Sequence, residues 1–417
     1  MADKRLSVSA MVYLVSTMAN KSVPFLLIPL LTRWLTADQY GVLGLFSAFL
    51  AIGGVYVGLR PEVYLFRCRE SVPHAEYKAV QSAAVVVAVV SALLFWLVCM
   101  VTLPLMDALS GDANLFAILL AFNCLIIALQ RIYDTEMQAE FRSVNYALIK
   151  FLGIAGHAVI VVPLILYVSA SWVSKVAAEI MGNLLALAVS IRLLGLVRID
   201  FGGVLERAKG LISYLFPLTF HVLGFSIINI GDKVFIGAFM GVAAVGVYTV
   251  AYSFGLVLSA VHESALKVWN PYFFKMYRPG VRNAKILKLQ AGYAVLSIFM
   301  FISYVLVADW LFERIVGPGY SVPPYLLVVV GAAYSFEGVR KVIAGYLYGE
   351  GRTVTLAVIT MACAAVNAVM NYLLIPSFGL MGAAYATLLS FFLMLVATVF
   401  CSARVYVSST AREVKGL

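Results

Sequence analysis

Charged residues are scarce in this chain of 417 residues. They make up 12% of the sequence, whereas 63% of the residues are hydrophobic and the mean hydropathy is +0.98. Water-soluble domains carry roughly 25% charged and about 45–50% apolar residues. The composition therefore excludes a soluble enzyme, a disordered protein and a disulfide-rich secreted module. It indicates a protein that crosses a membrane several times.

Cysteine is also sparse, and no enzyme motif is present. The five cysteines are scattered, without a CxxC pair or a spacing typical of metal ligands, so we interpret them as packing residues. The sequence contains no GxSxG, P-loop or HExxH motif. We expect no catalytic residue, no metal site and no cofactor.

Long apolar runs fill most of the chain. A helix crosses the bilayer with roughly 20 mostly apolar residues, and the runs do not alternate as the strands of a membrane barrel do. Twelve segments meet the requirement for a helix: 10–31, 40–59, 80–106, 114–130, 146–168, 172–197, 211–239, 244–265, 289–313, 322–346, 352–375 and 380–402. The first lacks a cleavage site and resembles a retained span. The sequence predicts an all-α polytopic membrane protein.

The basic residues are distributed unevenly between the predicted loops. Of the 30 Lys and Arg residues, 25 lie in segments on one side of the predicted membrane, and only Arg33 and Arg314 lie in the opposite loops. Cytoplasmic loops collect Lys and Arg, so both termini are predicted to be cytoplasmic. This distribution explains the net charge of +10 without a nucleic acid partner.

The two halves of the chain resemble each other. ADQYGVLGLFSAF (37–49) follows the first span and GVAAVGVYTVAYSF (241–254) follows the seventh, and aligning Gly41 with Gly246 gives an offset of 205. The alternative is that Gly and Ala recur in any close-packed membrane helices. A repeat predicts two six-helix halves, related by a pseudo-twofold axis along the membrane normal, with the site between them. The predicted parts are the halves 1–197 and 211–402, the linker 198–210 and the cytoplasmic tail 403–417.

Three segments resemble a known family. GDKVFIGAFMGVAAVGVYTVAY (231–252) and AVNAVMNYLLIPSFGLMGAAYATLLS (365–390) resemble the seventh–eighth and eleventh–twelfth span signatures of the polysaccharide-export flippases. LLIPLLTRWLTADQYGVLGLFSAF (26–49) resembles their first–second span region. The resemblance is to Wzx-type O-antigen flippases of the multidrug/oligosaccharidyl-lipid/polysaccharide exporter superfamily, whose fold is MATE-like.

The resemblance implies a substrate and partners. The substrate is an oligosaccharide repeat unit on undecaprenyl pyrophosphate, moved from the cytoplasmic to the periplasmic leaflet of the bacterial inner membrane. The implied partners are membrane lipids, a polysaccharide polymerase and a chain-length regulator.

Lys21 is the most deeply placed cation of the predicted spans. Ionisable groups in a span cost about 2.5–3.5 kcal/mol on insertion scales and usually face a cavity or a partner. Thr17, Asn20, Lys21 and Pro24 are spaced to share one helix face. We interpret Lys21 with Asn20 as a cationic and polar cavity lining, with a structural ion pair as the alternative.

The seventh predicted span carries four polar groups. They are His221, Asn229, Asp232 and Lys233. Lys233 is a candidate substrate cation, while Asp232 and His221 are candidates for ion coupling; structural pairing is the alternative for each. Asp232 and Lys233 are adjacent, so they cannot point the same way on a helix.

Two other spans combine opposite charges. Lys175 and Glu179 have the i,i+4 spacing of a local ion pair, although Glu179 is also a candidate for ion coupling. Glu337 precedes Arg340 and Lys341 in the tenth predicted span, where a similar cluster is expected.

Four charged residues lie at predicted cytoplasmic ends of spans: Arg60, Glu62, Arg131 and Lys150. One interpretation is that the cations reach lipid phosphate. The other is a cationic entrance that attracts a pyrophosphate, with Glu62 as an ion-coupling candidate.

Asn367 and Asn371 lie four residues apart in the eleventh predicted span, so they share one helix face. Their amides are suited to hydrogen bonds with sugars. Alternatively, they join neighbouring helices, as polar side chains in membranes often do.

These observations favour a flippase for lipid-linked oligosaccharide that works by alternating access. Since no ATP-binding motif is present, we expect a proton or sodium gradient to drive it. A multidrug cation antiporter of the same superfamily is the main alternative, although Lys21 argues against it. A membrane polymerase or ligase predicts a large external loop with catalytic charges, which the sequence lacks, and a scaffold leaves the charges in spans unexplained.

Overall fold

The structure is a computed structural model that describes residues 25–102, 112–140, 142–197, 200, 202–277 and 283–413. Helices occupy most of these ranges, and no strand occurs within them. In chain order the α-helices are α1 (Ile28–Trp34), α2 (Ala37–Tyr56), α3 (Glu62–Ser71), α4 (His74–Val101), α5 (Ala113–Ala139), α6 (Ser143–Pro163), α7 (Trp172–Leu194), α8 (Val204–Met240), α9 (Val242–Met276), α10 (Ala284–Ile315), α11 (Leu326–Ile343), α12 (Gly345–Gly349), α13 (Thr353–Phe378) and α14 (Leu380–Glu413).

Nine helical segments in the described part of the chain are long and apolar enough to cross a membrane. They are Ala37–Arg69, His74–Val101, Ala113–Ala139, Ser143–Val168, Trp172–Leu194, Val242–Met276, Ala284–Ile315, Thr353–Phe378 and Leu380–Tyr406. Each overlaps one predicted span. The predicted segments 211–239 and 322–346 lie in α8 and in α11 with α12, while most of 10–31 lies outside the described residues. A polytopic α-helical membrane protein is confirmed.

Side-chain caps and glycines determine several helix ends. The Thr36 hydroxyl accepts the Gln39 N–H at 3.3 Å before α2, and the Asp112 carboxylate accepts the Leu115 N–H at 3.1 Å before α5. Such caps satisfy backbone donors that lack a partner in the first turn. Gly195 ends α7 with φ of 82°, a left-handed conformation that glycine adopts without steric cost.

Some predicted loops are helical. The predicted loop at 60–79 contains α3, the linker predicted at 198–210 contains the beginning of α8, and α14 continues to Glu413 into the predicted tail. The reason is local: ARVYVSSTARE (403–413) contains neither glycine nor proline, so nothing ends the helix where the apolar run ends.

The chain forms two compact units. Of the described residues, those up to 226 together with 241–246 form the first, and 227–240 together with those from 247 onward form the second. In the first unit, α3, α4, α5 and the beginning of α8 enclose an apolar cluster centred on Leu65, Tyr77 and Leu211. In the second, Phe273, Tyr277 and Tyr346 pack together.

Tyr277, just beyond the end of α9, anchors the aromatic cluster of the second unit. Its hydroxyl donates to Glu350 Oε1 at 2.6 Å. Burial and this hydrogen bond raise the pKa of Tyr277 above its ordinary value, because both disfavour the phenolate.

The two glycines that the internal repeat aligns make reciprocal contacts within the first unit. A Cβ on Gly41 would collide with the backbone oxygen of Val242, and a Cβ on Gly246 would collide with that of Ala37. Under the offset of 205, Gly41 corresponds to Gly246 and Ala37 to Val242. A twofold relation predicts such a self-complementary contact. The repeat and its two six-helix halves stay predictions.

The Gly182→Ala variant is expected to lower stability, because α6 and α7 approach each other too closely for a side chain there. A Cβ on Gly182 would contact the Gly153 carbonyl oxygen and lie 2.9 Å from the His157 nitrogen. Overpacking typically costs about 1–3 kcal/mol. Thermal unfolding in detergent measures the change.

Gly292 provides the matched control, since it lies in α10 and a Cβ added there would have no neighbouring atom within 4 Å. Gly292→Ala is expected to be neutral or to stabilise by up to about 1 kcal/mol through helix propensity. Equal melting temperatures for the two variants would contradict the close approach of α6 and α7.

Candidate functional site

Asp232 is a buried carboxylate in the second unit. It lies on α8, and only 1% of the residue is exposed. Its Oδ2 accepts the hydroxyls of Tyr248 at 2.8 Å and Thr387 at 2.6 Å, and its Oδ1 accepts the Asn371 amide N–H at 2.7 Å. All three donors are neutral. They compensate part of the carboxylate's lost hydration but do not neutralise its negative charge.

Asn367 and Asn371 extend this site along α13. Both are fully buried, and Asn371 Nδ2 also donates to Asn367 Oδ1 at 3.0 Å, which confirms that the two share a helix face. Asn371 Oδ1 and Asn367 Nδ2 have no hydrogen-bond partner among the described residues. Reversing the Asn371 amide would place its oxygen against the Asp232 carboxylate, so the hydrogen bond to Asp232 fixes its orientation. The unpaired Asn371 oxygen and Asn367 amide leave hydrogen-bonding capacity beside Asp232.

Lys233 follows Asp232 on α8 and is half-buried. Within the described residues no ion pair is formed by Lys233, although its positive charge acts on the neighbouring carboxylate. Consecutive helical residues point about 100° apart, so Lys233 does not complete the hydrogen bonds of Asp232. Its predicted role as a substrate cation stays a prediction.

Arg60, Glu62 and Arg131 form a charged cluster in the first unit. Nε of Arg131 lies 3.6 Å from Glu62 Oε1, and Nε of Arg60 lies 3.7 Å from the same oxygen. Arg131 also donates to the Gly54 carbonyl at 2.5 Å. Two guanidinium groups therefore share one carboxylate, which leaves the cluster with a formal charge of +1.

The backbone beside this cluster is strained. Gly58, Leu59 and Arg60 have consecutive positive φ values of 75°, 54° and 55°. For residues other than glycine such conformations cost about 1–3 kcal/mol each and concentrate at functional sites. The Gly58 N–H donates to Ser91 Oγ at 2.9 Å and holds the turn in place. The strained turn positions Arg60 on the same carboxylate as Arg131.

Lys150 belongs to another cluster. It pairs with Asp134, whose other oxygen accepts the Gln130 amide at 2.9 Å. Gln130 also donates to Ser190 at 3.0 Å. The four predicted residues of the cytoplasmic span ends therefore divide between two sites, and Lys150 has a carboxylate partner of its own.

Glu179 lies in a polar network of the first unit. It pairs with Lys175 one helical turn away, which confirms the predicted i,i+4 ion pair. Its Oε1 accepts the Asn123 amide at 3.2 Å, and Asn123 accepts the Asn183 amide at 3.1 Å. Because Lys175 already compensates its charge, Glu179 is less suited to ion coupling than Asp232.

Other predicted site residues fall outside the described part of the chain. Lys21 and Asn20 lie outside the described residues, as do the side chains of His221 and Asn229. Their predicted roles are not tested.

Tyr248 and Thr387 were not predicted as site residues. Hydroxyl side chains are too common in membrane helices to be singled out by type. The available signal was their position, since both lie in segments that carry the family resemblance, 231–252 and 365–390.

Comparison with solved structures shows the fold. The lipid II flippase MurJ in an inward closed conformation matches with a TM-score of 0.76 and 12% identity, over 95% of this chain and 90% of that chain. An inward-facing multidrug resistance MATE family transporter of the MOP superfamily matches with a TM-score of 0.71 and 13% identity, over 98% of both chains. The predicted MATE-like fold is confirmed.

Sequence comparison shows the family. A Haemophilus influenzae protein named for the Lsg locus is 20% identical over 353 residues, which cover 82% of this chain and 84% of that protein. Residues 7–277 match the family described as polysaccharide biosynthesis protein. This match spans more than half of the sequence, and the chain therefore belongs to the polysaccharide biosynthesis protein family.

Proposed function

We propose that the protein is a flippase for oligosaccharide repeat units linked to undecaprenyl pyrophosphate. It moves them from the cytoplasmic to the periplasmic leaflet of a bacterial inner membrane by alternating access, with both of its termini in the cytoplasm. Support comes from its family, from the MATE-like fold shared with a lipid II flippase, and from the charged clusters described above.

We place the binding of the substrate's phosphates at Arg60 and Arg131, because both guanidinium groups lie beside the single carboxylate of Glu62. Their Nε–Oε1 distances of 3.6 and 3.7 Å exceed the 2.7–2.9 Å typical of charge-assisted hydrogen bonds. Both guanidinium groups therefore keep donor capacity. A pyrophosphate must lose hydration to cross the membrane, and paired guanidinium groups offset that loss by bidentate contacts. The cluster is suited to hold the substrate's phosphates.

The coupling ion is assigned to the Asp232 site. A gradient must act through a group whose charge changes or is compensated during the cycle, and Asp232 has only neutral hydrogen-bond donors. One elementary charge that crosses 100 mV supplies about 2.3 kcal/mol. We propose that a proton or a sodium ion binds there, with Asn367 and Asn371 as its polar lining.

Replacing Arg131 with alanine tests the phosphate site. The expected result is a loss of flipping of about 10-fold or more, because a charged hydrogen bond contributes about 1.5–3 kcal/mol. Flipping is measured in proteoliposomes that contain a fluorescent undecaprenyl-pyrophosphate oligosaccharide. The fraction of this lipid exposed on the outer leaflet is followed over time.

Arg192→Ala is the matched control, since Arg192 is exposed at the end of α7. It should leave the rate unchanged. If Arg131→Ala flips as fast as wild type at equal protein content, the phosphate site lies elsewhere.

A multidrug cation antiporter remains the second candidate, because the fold and the buried Asp232 also suit cation exchange. The same proteoliposomes loaded with an organic dye cation distinguish the two functions. Gradient-driven dye export without glycolipid flipping would favour the antiporter.

A further inference from the structure

A small cavity opens in the first unit, where the beginning of α4 meets the ends of α5 and α7. Its volume is about 240 Å³. Its lining residues are Lys78, Gln81, Ile132, Tyr133, Glu136, Leu194, Gly195, Leu196 and Val197. The three helix termini are ends of membrane-crossing segments, so the cavity lies at the boundary between membrane and water. It shares no lining residue with the cluster of Arg60, Glu62 and Arg131.

Gln81 lines this cavity and carries a buried acceptor without a donor. The residue is only 2% exposed. Its Nε2 donates to Glu136 Oε2 at 2.6 Å and to the Tyr77 hydroxyl at 3.2 Å, whereas its Oε1 has no partner among the described residues. Reversing the amide would place an oxygen against the Glu136 carboxylate, so the orientation is fixed. A buried acceptor of this kind requires an N–H or O–H group from a ligand or water.

The charges of the cavity fit a zwitterion. The Glu136 side chain is 6% exposed, and its Oε1 lies 3.5 Å from Nζ of Lys78. That distance is too long for a strong ion pair, and the Lys78 side chain is 43% exposed, so its ammonium is free to turn outward. A ligand with an ammonium for Glu136 and Gln81 and an anionic group for Lys78 would keep the site neutral.

The rim of the cavity is apolar and suits a lipid. Leu196, just beyond the end of α7, is 71% exposed, and Ile132 and Val197 complete an apolar wall. A soluble ligand gains little from an exposed leucine at the membrane boundary. Acyl chains would cover it and gain about 25 cal/mol per Å² of apolar surface removed from water.

We propose that this cavity binds the headgroup of an aminophospholipid, in which a primary ammonium and a phosphate are joined by a short linker. The ammonium donates to Gln81 Oε1 and Glu136, and the phosphate accepts from Lys78. Phosphatidylethanolamine has this chemistry. Phosphatidylcholine lacks every N–H donor and leaves Gln81 Oε1 unpaired.

Lipid competition on the full-length protein tests this site. Delipidated protein in detergent is incubated with equimolar phosphatidylethanolamine and phosphatidylcholine of identical acyl chains, and bound lipids are counted by native mass spectrometry. We expect about a 10-fold preference for phosphatidylethanolamine, and stepwise weaker binding of its monomethyl and dimethyl derivatives. If the wild-type protein binds phosphatidylethanolamine, its two methylated derivatives and phosphatidylcholine equally, the proposal is wrong, and no variant is needed to show it.

Substitutions then assign the contacts. Glu136→Gln and Gln81→Met should each bring the preference to within about twofold, and Lys78→Ala should weaken both lipids. Arg192→Ala is the control, because this exposed cation does not line the cavity, and it should retain the wild-type preference. A preference that survives both Glu136→Gln and Gln81→Met would contradict the site.

A soluble competitor separates a lipid from a free headgroup. Free phosphoethanolamine at the lipid's concentration should displace nothing, because it lacks acyl chains to cover the leucine rim. If it binds as tightly as the lipid, the occupant is a soluble molecule and the lipid assignment fails.

Discussion

Asp232→Asn is expected to lower gradient-driven flipping at least about 100-fold while the protein remains folded. The carboxamide has the shape of the carboxylate but binds no proton and carries no charge. The proposed coupling ion therefore loses its counter-charge, whereas the proposed phosphate site in the first unit is unchanged. Exchange of substrate down its own gradient should persist, because only the coupling step is removed.

The surroundings of Asp232 explain why the fold should tolerate this change. Tyr248 and Thr387 donate hydroxyl protons to the carboxylate at 2.8 and 2.6 Å, and hydroxyls accept as well as donate. Both can rotate to accept the new amide N–H groups, while Asn371 continues to donate to the remaining oxygen. The free energy of unfolding should change by less than about 1.5 kcal/mol, the net value of a typical hydrogen bond.

Proteoliposomes with imposed proton or sodium gradients measure the effect. Asp309→Asn is the matched control, since Asp309 is an exposed aspartate on α10 and its replacement should leave the rate at the wild-type level. If Asp232→Asn still flips substrate at the wild-type gradient-driven rate, the coupling ion binds at another carboxylate.

The same variant identifies the coupling ion. A sodium ion that binds only the folded protein stabilises it by about 2.7 kcal/mol when the sodium concentration is 100 times its Kd. If sodium is the ion, the wild-type melting temperature rises with NaCl relative to choline chloride, and the rise disappears in Asp232→Asn. If the proton is the ion, sodium has no effect on either protein, and the rate follows the pH gradient.

The helices could be predicted because the membrane leaves the backbone few alternatives. An apolar run in lipid must satisfy its own N–H and C=O groups, so length and hydropathy predict a helix directly. Helix ends outside the apolar region obey ordinary stop signals instead. The hydropathy of the sequence therefore placed the end of the last span near residue 402, whereas α14 continues to Glu413.

The candidate site divides into local and distant contacts. The spacing of four residues predicted that Asn367 and Asn371 share a face and that Lys175 pairs with Glu179. No spacing relates Asp232 to Thr387, which is 155 positions away. Contacts between helices depend on how the helices pack against each other. No regular spacing in the sequence predicts them, unlike contacts within one helix. The sequence therefore indicated which charged residues were candidates, whereas their partners on other helices were visible only in the structure.

Glu337 and Arg340 form a buried ion pair in the second unit. Only 2% of Glu337 and 8% of Arg340 are exposed. Arg340 Nε and Nη2 donate to the two carboxylate oxygens at 2.5 and 2.7 Å, a bidentate arrangement. Lys341 adds a second cation 3.5 Å from Glu337 Oε1. Glu337 thus compensates two positive charges inside α11.

Glu337→Gln is expected to destabilise the protein by about 3–5 kcal/mol, because it leaves the Arg340 guanidinium buried without a counter-charge. Denaturant unfolding in detergent, followed by circular dichroism, measures the change. Glu313→Gln is the control, because Glu313 is an exposed carboxylate on α10, and its replacement should stay within about 0.5 kcal/mol.

Removing both charges distinguishes the effect of an uncompensated charge from the effect of side-chain packing at this position. The double variant Glu337→Leu with Arg340→Met places apolar side chains of similar volume in the same space, and such replacements are often neutral or stabilising. It should therefore recover most of the stability lost in Glu337→Gln, although Lys341 then depends on Glu263, 3.8 Å away. A double variant as unstable as the single one would contradict the assignment of the loss to the uncompensated charge of Arg340. Recovery would mean that the ion pair itself adds little net stability, since the burial of its two charges costs about as much as their attraction gains.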